Sequence, residues 1–409
     1  MLPSGYEFLR RGKMISPFEL DRLLGLNYFI SNTAGVKGKL RQIADDFSVD
    51  EVFEDSREDD EGEYLHFIME KRNWDTIRAV DNVSRALHIS RKRFGYAGTK
   101  DKRAVTKQRM SVWNIERENL EVLNLKDIKL YNFVRSDERL NLGDLLGNKF
   151  KITIRKTEGD ISQIKEVMQE TVSQLSLGGV PNYFGYQRFG IVRPNTHLVG
   201  KKIIQGDLDG AVMQYIAKPY PGEREDTKEA REMLSETGNF KKALEVYPSR
   251  LNYERNMLDA LVKNPKDFAG ALRRLPKKLR RMLVHACQSH IFNEVLSEAI
   301  AEGINIRTKN IKLLGYKSGF SQDEIGRIEK EVLEREDLTM EQFKINSMPE
   351  VSVTGEDRRA SINTKISFDV EDDELNPGLI KVSFSFFLPP GSYATTVLRE
   401  FMKTDPLNY

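Results

Sequence analysis

A single cysteine, Cys287, in a chain of 409 residues leaves nothing from which to build a disulfide or a thiolate metal cage. A reducing compartment, the cytoplasm, is the expected setting. Histidine is scarce too: His66, His88, His197, His285 and His290 are all there are. None stands with an acidic neighbour at a familiar metal-ligand spacing, so no metal is expected. Long apolar runs are missing, and the N-terminal stretch alternates charges (Arg10, Arg11, Lys13, Glu19, Asp21, Arg22) where a leader or membrane span would be apolar. No membrane association is expected. Charge of one sign is also lacking: at a net +2, a polyanionic partner has to be held by a local basic surface. Neither an internal repeat nor a low-complexity tract is evident.

What is present suits a folded, heavily charged protein, with 39% hydrophobic and 31% charged residues. The length favours two domains over one. The stretch from Glu54 to Glu63, with seven acids, reads as a solvated loop facing away from any polyanion. Ile77, Val80, Val83 and Leu87 recur at helical spacing behind Asp75 and Thr76, predicting a helix over 76–87. Phe94 to Gly98 reads as a short strand ending in a tight turn. Phe150, Ile152 and Ile154 alternate with Lys149, Lys151, Thr153 and Arg155, which predicts a strand with one buried and one basic face. Asp160 and Gln163 precede an apolar stripe of Ile161, Ile164, Met168, Val172 and Leu175, the pattern of a packed helix. Val382, Phe384 and Phe386 alternate near the C-terminus, and Ser392 is placed to cap a last helix. From 201 to 371 the texture shifts to charged helical segments closed by the acidic stretch Glu371–Glu374, and this region reads as an inserted domain. The flanking 1–200 and 372–409 then form one discontinuous domain.

Four segments could carry chemistry. Gly98-Thr99-Lys100-Asp101-Lys102-Arg103-Ala104 places one carboxylate among three cations at a strand end. Nearby positive charge favours the ionised form, and an ionised, positioned aspartate is a competent nucleophile. The same segment could be an ordinary solvated turn; it lacks the glycine spacing of a nucleotide-triphosphate loop. Val180 to Gly190 interleaves aromatics with Asn182, Gln187 and Arg188, suited either to stacking on unstacked bases or to a core cluster. Asp45, Asp46, Asp50 and Glu51 lie along a probable strand, and a glycosidase pair of carboxylates is an alternative reading of them. Arg273, Arg274, Lys277, Lys278, Arg280 and Arg281 lead into a helix with Leu279, Met282, Leu283 and Ala286 inward. They form either a wet helix face or a phosphate track.

Together these segments resemble the TruD family of pseudouridine synthases from about Gly38 to Lys403. Phe94 to Thr106, with Gln108 after it, is similar to the family's catalytic segment almost position for position. Asp46 to Glu51, Leu146 to Phe150, Asn182 to Gly190 and Pro390 to Thr395 are similar to further family motifs, in the family's order. The segment from 201 to 371 matches more loosely, chiefly at Gln288 and Ile291-Phe292-Asn293.

The resemblance implies an α+β fold: a mixed, largely antiparallel sheet flanked by helices, plus an inserted α/β domain. It implies isomerisation of a uridine in transfer RNA, with uridine 13 of the D arm the usual target, and neither a metal nor a nucleotide cofactor. By residue, Asp101 resembles the nucleophile, Phe184 the aromatic that stacks on the target uracil, and Asn182 an amide near the catalytic carboxylate. Arg41 stands where family members often carry lysine, a change that keeps the charge and alters the geometry. Lys100 and Arg188 complete the set expected at the substrate. A monomer is the default expectation. A non-catalytic RNA chaperone would share the basic and aromatic segments without needing a carboxylate inside a cationic loop.

Overall fold

Side chains on a strand alternate between faces, so a strand with apolar residues at every second position must bury one face. In the computed structural model, which describes residues 13–54, 59 and 61–408, this requirement is met by a nine-stranded sheet. Its strands are β1 (Lys39–Leu40), β2 (Phe47–Val52), β3 (Tyr64–Arg72), β4 (Phe94–Tyr96), β5 (Val105–Trp113), β6 (Ile128–Ser136), β7 (Gly147–Thr157), β8 (Ser367–Asp372) and β9 (Ile380–Leu388). The spatial order is β8-β9-β7-β2-β5-β3-β6, with β1 added to β7 and β4 to β5. Every pairing is antiparallel except β2 with β5. This is the mixed, largely antiparallel sheet expected of the α+β fold.

Two compact units make up the chain: Thr33–Ser176 with residues 363–408, which hold the sheet, and residues 13–32 with Leu177–Ile362. These divisions differ from the expected 1–200, 201–371 and 372–409. Residues 177–200, with the whole aromatic segment, belong to the helical unit. The acidic stretch Glu371–Glu374, read as the close of the insertion, instead ends β8 and begins the turn into β9. There Asp373 and Glu374 hydrogen-bond to Arg155 at 2.7 and 2.9 Å. Of the acidic segment Glu54–Glu63, residues 55–58 and 60 lie outside the described residues, as do Arg10 and Arg11.

In the sheet unit, Leu65, Phe67 and Met69 of β3 and Met110 and Val112 of β5 pack against Ala79, Val80 and Val83 of helix α1 (Thr76–Ala86). Burying each large apolar side chain contributes roughly 1.5–3 kcal/mol. Asp75 caps α1, its Oδ1 accepting from the Ile77 and Arg78 amides. Helix α2 (Ile161–Gly178) buries Ile164, Met168 and Leu175, as its stripe requires. Two local expectations change. Arg155 is not on the basic face of β7; it is buried and also bonds to Asp46 at 2.7 Å. Ser392 does not cap the last helix, Ala394–Met402, whose N-cap position is Tyr393, with no side-chain capping bond.

The helical unit is organised around α3 (Lys277–Glu302), which buries Leu283, Val284, Ala286, Cys287 and Ile291 along one side. Met282, expected inward, is turned outward because that stripe is offset by one position. Helix Thr196–Gln205 crosses α3 at Gly200, where any side chain would strike the Leu283 carbonyl oxygen. Short antiparallel pairs join Val180–Pro181 to Ser361–Ile362 and Asn310–Leu313 to Glu356–Arg359. Among the described residues, no helix is long and apolar enough to cross a membrane.

Candidate active site

Asp101 sits in the loop between β4 and β5, and buried polar groups fix the main chain on both sides of it. Thr76 at the start of α1 accepts from the Lys100 amide at 3.0 Å and donates to Gln108 Oε1 at 3.0 Å. Gln108 Nε2 returns to the Gly98 carbonyl at 3.1 Å. Lys71, buried at the end of β3, donates to the Asp101 carbonyl at 3.1 Å and to the Trp74 carbonyl at 2.7 Å. Burial pushes its ammonium down from 10.5 to about 8, against the opposing pull of Asp101 and Asp75.

The Asp101 side chain is 45% exposed, with Arg41 Nη2 at 3.4 Å. Arg41 follows β1 in a left-handed conformation, φ 57°, and its guanidinium lies 4.1 Å over the Phe47 ring. Its carbonyl accepts from Arg103 Nη2 at 3.2 Å. Burial lowers the Arg41 pKa from its ordinary value while Asp101 raises it. Arginine stays charged under such pressure, so a fixed cation stands beside an accessible carboxylate. Of the cations expected near Asp101, Arg41 is the one ion-paired with it.

Lys100 has a different occupation from the one expected. Its ammonium lies 2.6 Å from Glu51 Oε2 and donates to Asn148 Oδ1 at 2.7 Å, with both charged side chains buried. It therefore anchors the loop from beneath and is not presented to a ligand. The same contact weakens the glycosidase reading: Glu51 is engaged by Lys100 and by the Arg109 amide, and Asp46 is engaged by Arg155. Neither acid is accessible.

The aromatic segment lies in the helical unit. Phe184 is only 7% exposed. Its amide donates to Asn293 Oδ1 at 2.8 Å, and its ring meets Phe292 edge-on at 5.4 Å. One ring face carries the Arg358 guanidinium at 4.0 Å. Asn182 is buried as well: its Oδ1 accepts from Arg358 Nη2 at 2.8 Å and its Nδ2 donates to the Arg359 carbonyl at 2.9 Å. Asn182 thus holds the arginine that covers Phe184. Arg188 is half-buried, 5.7 Å from the Phe184 ring centre, with its Nε donating to Ser289 Oγ at 3.1 Å. Among the described residues, no cluster of three or more His, Cys, Asp and Glu side chains is arranged to hold a metal.

Sequence reasoning missed Lys71, Thr76, Arg358 and the interior role of Glu51. For two of them a signal existed. Lys71 shares strand parity with Leu65, Phe67 and Met69, and Glu51 with Phe47 and Val49, so each charge is directed into the core. Arg358 gave no signal, being brought to Phe184 by a strand pair more than 170 residues away in sequence.

Comparison with known proteins places the chain in a family. The family model of tRNA pseudouridine synthase D (TruD) matches residues 23–311 and 308–401. Relatives described as "probable tRNA pseudouridine synthase D" include one from Methanosarcina acetivorans, 40% identical over 95% of this chain and 98% of its own length. Another, from Methanopyrus kandleri, is 40% identical over 84% of this chain and 86% of its own. The crystal structure of the TruD protein from Methanosarcina mazei superposes with a TM-score of 0.87 at 39% identity, covering 97% of this chain and all of that one. Fold and sequence define a pseudouridine synthase. The chain belongs to the TruD family.

Proposed function

We propose that this enzyme converts a uridine of transfer RNA, uridine 13 of the D arm, to pseudouridine, with the Asp101 carboxylate as the attacking group. The observation that carries the reading is an accessible carboxylate, ion-paired to Arg41 at 3.4 Å, on a loop whose backbone is anchored by Thr76, Lys71 and Lys100. Such a loop holds a nucleophile still without burying it. The transfer RNA substrate and the uridine 13 target rest on the family. The product is an isomer of the substrate: the bond from N1 to C1′ breaks, a bond from C5 to C1′ forms, C5 gives up its proton and N1 takes one up. Atoms balance without a metal or a nucleotide cofactor.

The target uridine has to leave its stack, at a cost of a few kcal/mol. Phe184 would supply replacement stacking, which requires Arg358 to yield the ring face it occupies. Attack on C1′, attack on C6 and proton abstraction from the sugar all begin from an ionised Asp101. Asp101→Asn tests the reading. Its affinity for transfer RNA transcripts is expected within a few-fold of the native enzyme, while tritium release from C5-labelled uridine disappears. Persisting release would remove Asp101 from the mechanism. Mapping pseudouridine on the transcripts tests the position, and a product at another uridine would overturn that part. The enzyme is read as a cytoplasmic monomer.

A further inference from the structure

The cationic run that opens α3 separates into two groups. Arg273 and Arg280 are engaged internally, with Glu350 Oε1 3.1 Å from Arg273 Nε and 3.6 Å from Arg280 Nη2. Arg274, Lys277, Lys278 and Arg281 are exposed, with no ion-pair partner among the described residues. Lys277, Arg281, His285 and Ser289 follow one another at four-residue intervals, which puts them on one helix face. Ser289 is the residue whose hydroxyl accepts from Arg188, and Arg188 lies beside Phe184. At about 1.5 Å of rise per residue, Arg281 stands roughly 12 Å along the helix from that contact.

Between them is a cavity of about 330 Å³ lined by Arg281, His285, Gln288 and residues 352–356. That volume lies within the range of small-ligand pockets, roughly 300–1,000 Å³. Gln288 Nε2 is fixed on the Leu314 carbonyl at 2.7 Å. His285 lies on the same wall, and Arg281, also on the lining, is exposed. Glu356 is the one acid on the lining.

We propose that this cavity binds a nucleotide flanking the target uridine, its phosphate on Arg281 and its base against His285, with Glu356 accepting from the base edge. The inference rests on the functional reading above and adds a subsite to it. Phosphate binding is favoured because Arg188 and Arg281 already place two positive charges around His285. Burial and these two guanidiniums lower the His285 pKa from 6.5, so the ring is neutral at pH 7 and free to stack on a base. A phosphate between the arginines would cancel part of their field and raise that pKa.

The test compares binding of labelled transfer RNA transcripts to the full-length native enzyme, Arg281→Gln, His285→Ala and the charge control Lys330→Gln. A second transcript is abasic at each nucleotide neighbouring the target in turn. Arg281→Gln should weaken binding about tenfold and reduce the slope of log affinity against log salt by roughly 0.7–0.9, the signature of one lost phosphate contact. Lys330→Gln should change neither. One abasic transcript should bind the native enzyme several-fold more weakly, and that difference should vanish in His285→Ala. His285, followed by NMR, should titrate at higher pH with RNA bound. Unchanged affinity and salt slope in Arg281→Gln, with pseudouridine still formed by the native enzyme, would overturn the subsite alone. No pseudouridine from the native enzyme, with binding still weakened in Arg281→Gln, would overturn the catalytic reading and leave the RNA contact supported.

Discussion

Replacing Lys100 by Met removes one partner of an ion pair whose side chains are 5% and 0% exposed, leaving Glu51 desolvated and facing an apolar chain. Breaking a buried pair in this way costs about 3–5 kcal/mol. Glu51 keeps its bond from the Arg109 amide at 3.0 Å, which argues for the lower end, about 3 kcal/mol. Both tryptophans, Trp74 and Trp113, lie in the sheet unit, so their fluorescence during urea unfolding reports on that unit. The expected result is a lower midpoint at unchanged m. Adding Glu51→Gln removes the stranded charge and should recover at least half of the loss, a coupling that a double-mutant cycle reads directly. If Lys100 serves the loop from inside, the salt dependence of RNA binding should be the same in Lys100→Met as in the native enzyme. A loss below about 1 kcal/mol, no recovery in the double variant, or a salt slope reduced by about 0.7–0.9 would refute the reasoning and return Lys100 to the RNA.

Three further outcomes follow from the same geometry. Lys71 is held near pH 8 by burial, so the positive charge behind Asp101 is present below that pH and lost above it. Turnover should show an alkaline limb near pH 8 that Lys71→Arg moves upward, and an unmoved limb would exclude Lys71. This depressed pKa also means that the folded chain binds fewer protons than the unfolded one between pH 8 and 10.5; the burial penalty is full below 8, and this group's share of stability improves across that window. Phe184→Leu roughly preserves volume but removes the aromatic face. Stacking is worth about 1–3 kcal/mol per base, so turnover should fall by roughly 5- to 150-fold with a stability loss under about 1.5 kcal/mol; native kinetics would make Phe184 a packing residue only. Gly200→Ala drives a methyl into the Leu283 carbonyl and should destabilise the helical unit by about 1–3 kcal/mol, measured by hydrogen exchange in helix Thr196–Gln205; unchanged protection would mean that the two helices part freely.

Much of the sheet was legible because alternation is a local signal. Phe150, Ile152 and Ile154 mark β7, and Val382, Phe384 and Phe386 mark β9, without knowledge of their partners. The α1 stripe and its Asp75 cap were readable for the same reason. What could not be read was the long-range arrangement. Nothing local says that Arg155 meets Asp46, Asp373 and Glu374, and a basic residue in a basic-looking strand reads as exposed until its acids arrive. The expected domain edges followed composition, whereas the observed ones follow strand pairing: the segment after Ile362 supplies two strands of the sheet, and the segment after Ser176 joins the helices. Asp101 and Phe184 were singled out through motif likeness. Of the groups that hold them, Lys71 was signalled only by strand parity and Arg358 not at all.

Strand β7 takes β9 as its neighbour along eight residue pairs, and β9 lies more than two hundred residues further along the chain. On a ribosome, that edge of β7 stays unsatisfied until more than two hundred further residues have emerged. Completion of the layer beneath Asp101 therefore waits on that later segment, and the half-made layer is a ready template for mispairing in the meantime. Truncation after about residue 362 would thus deprive the enzyme of far more than its tail.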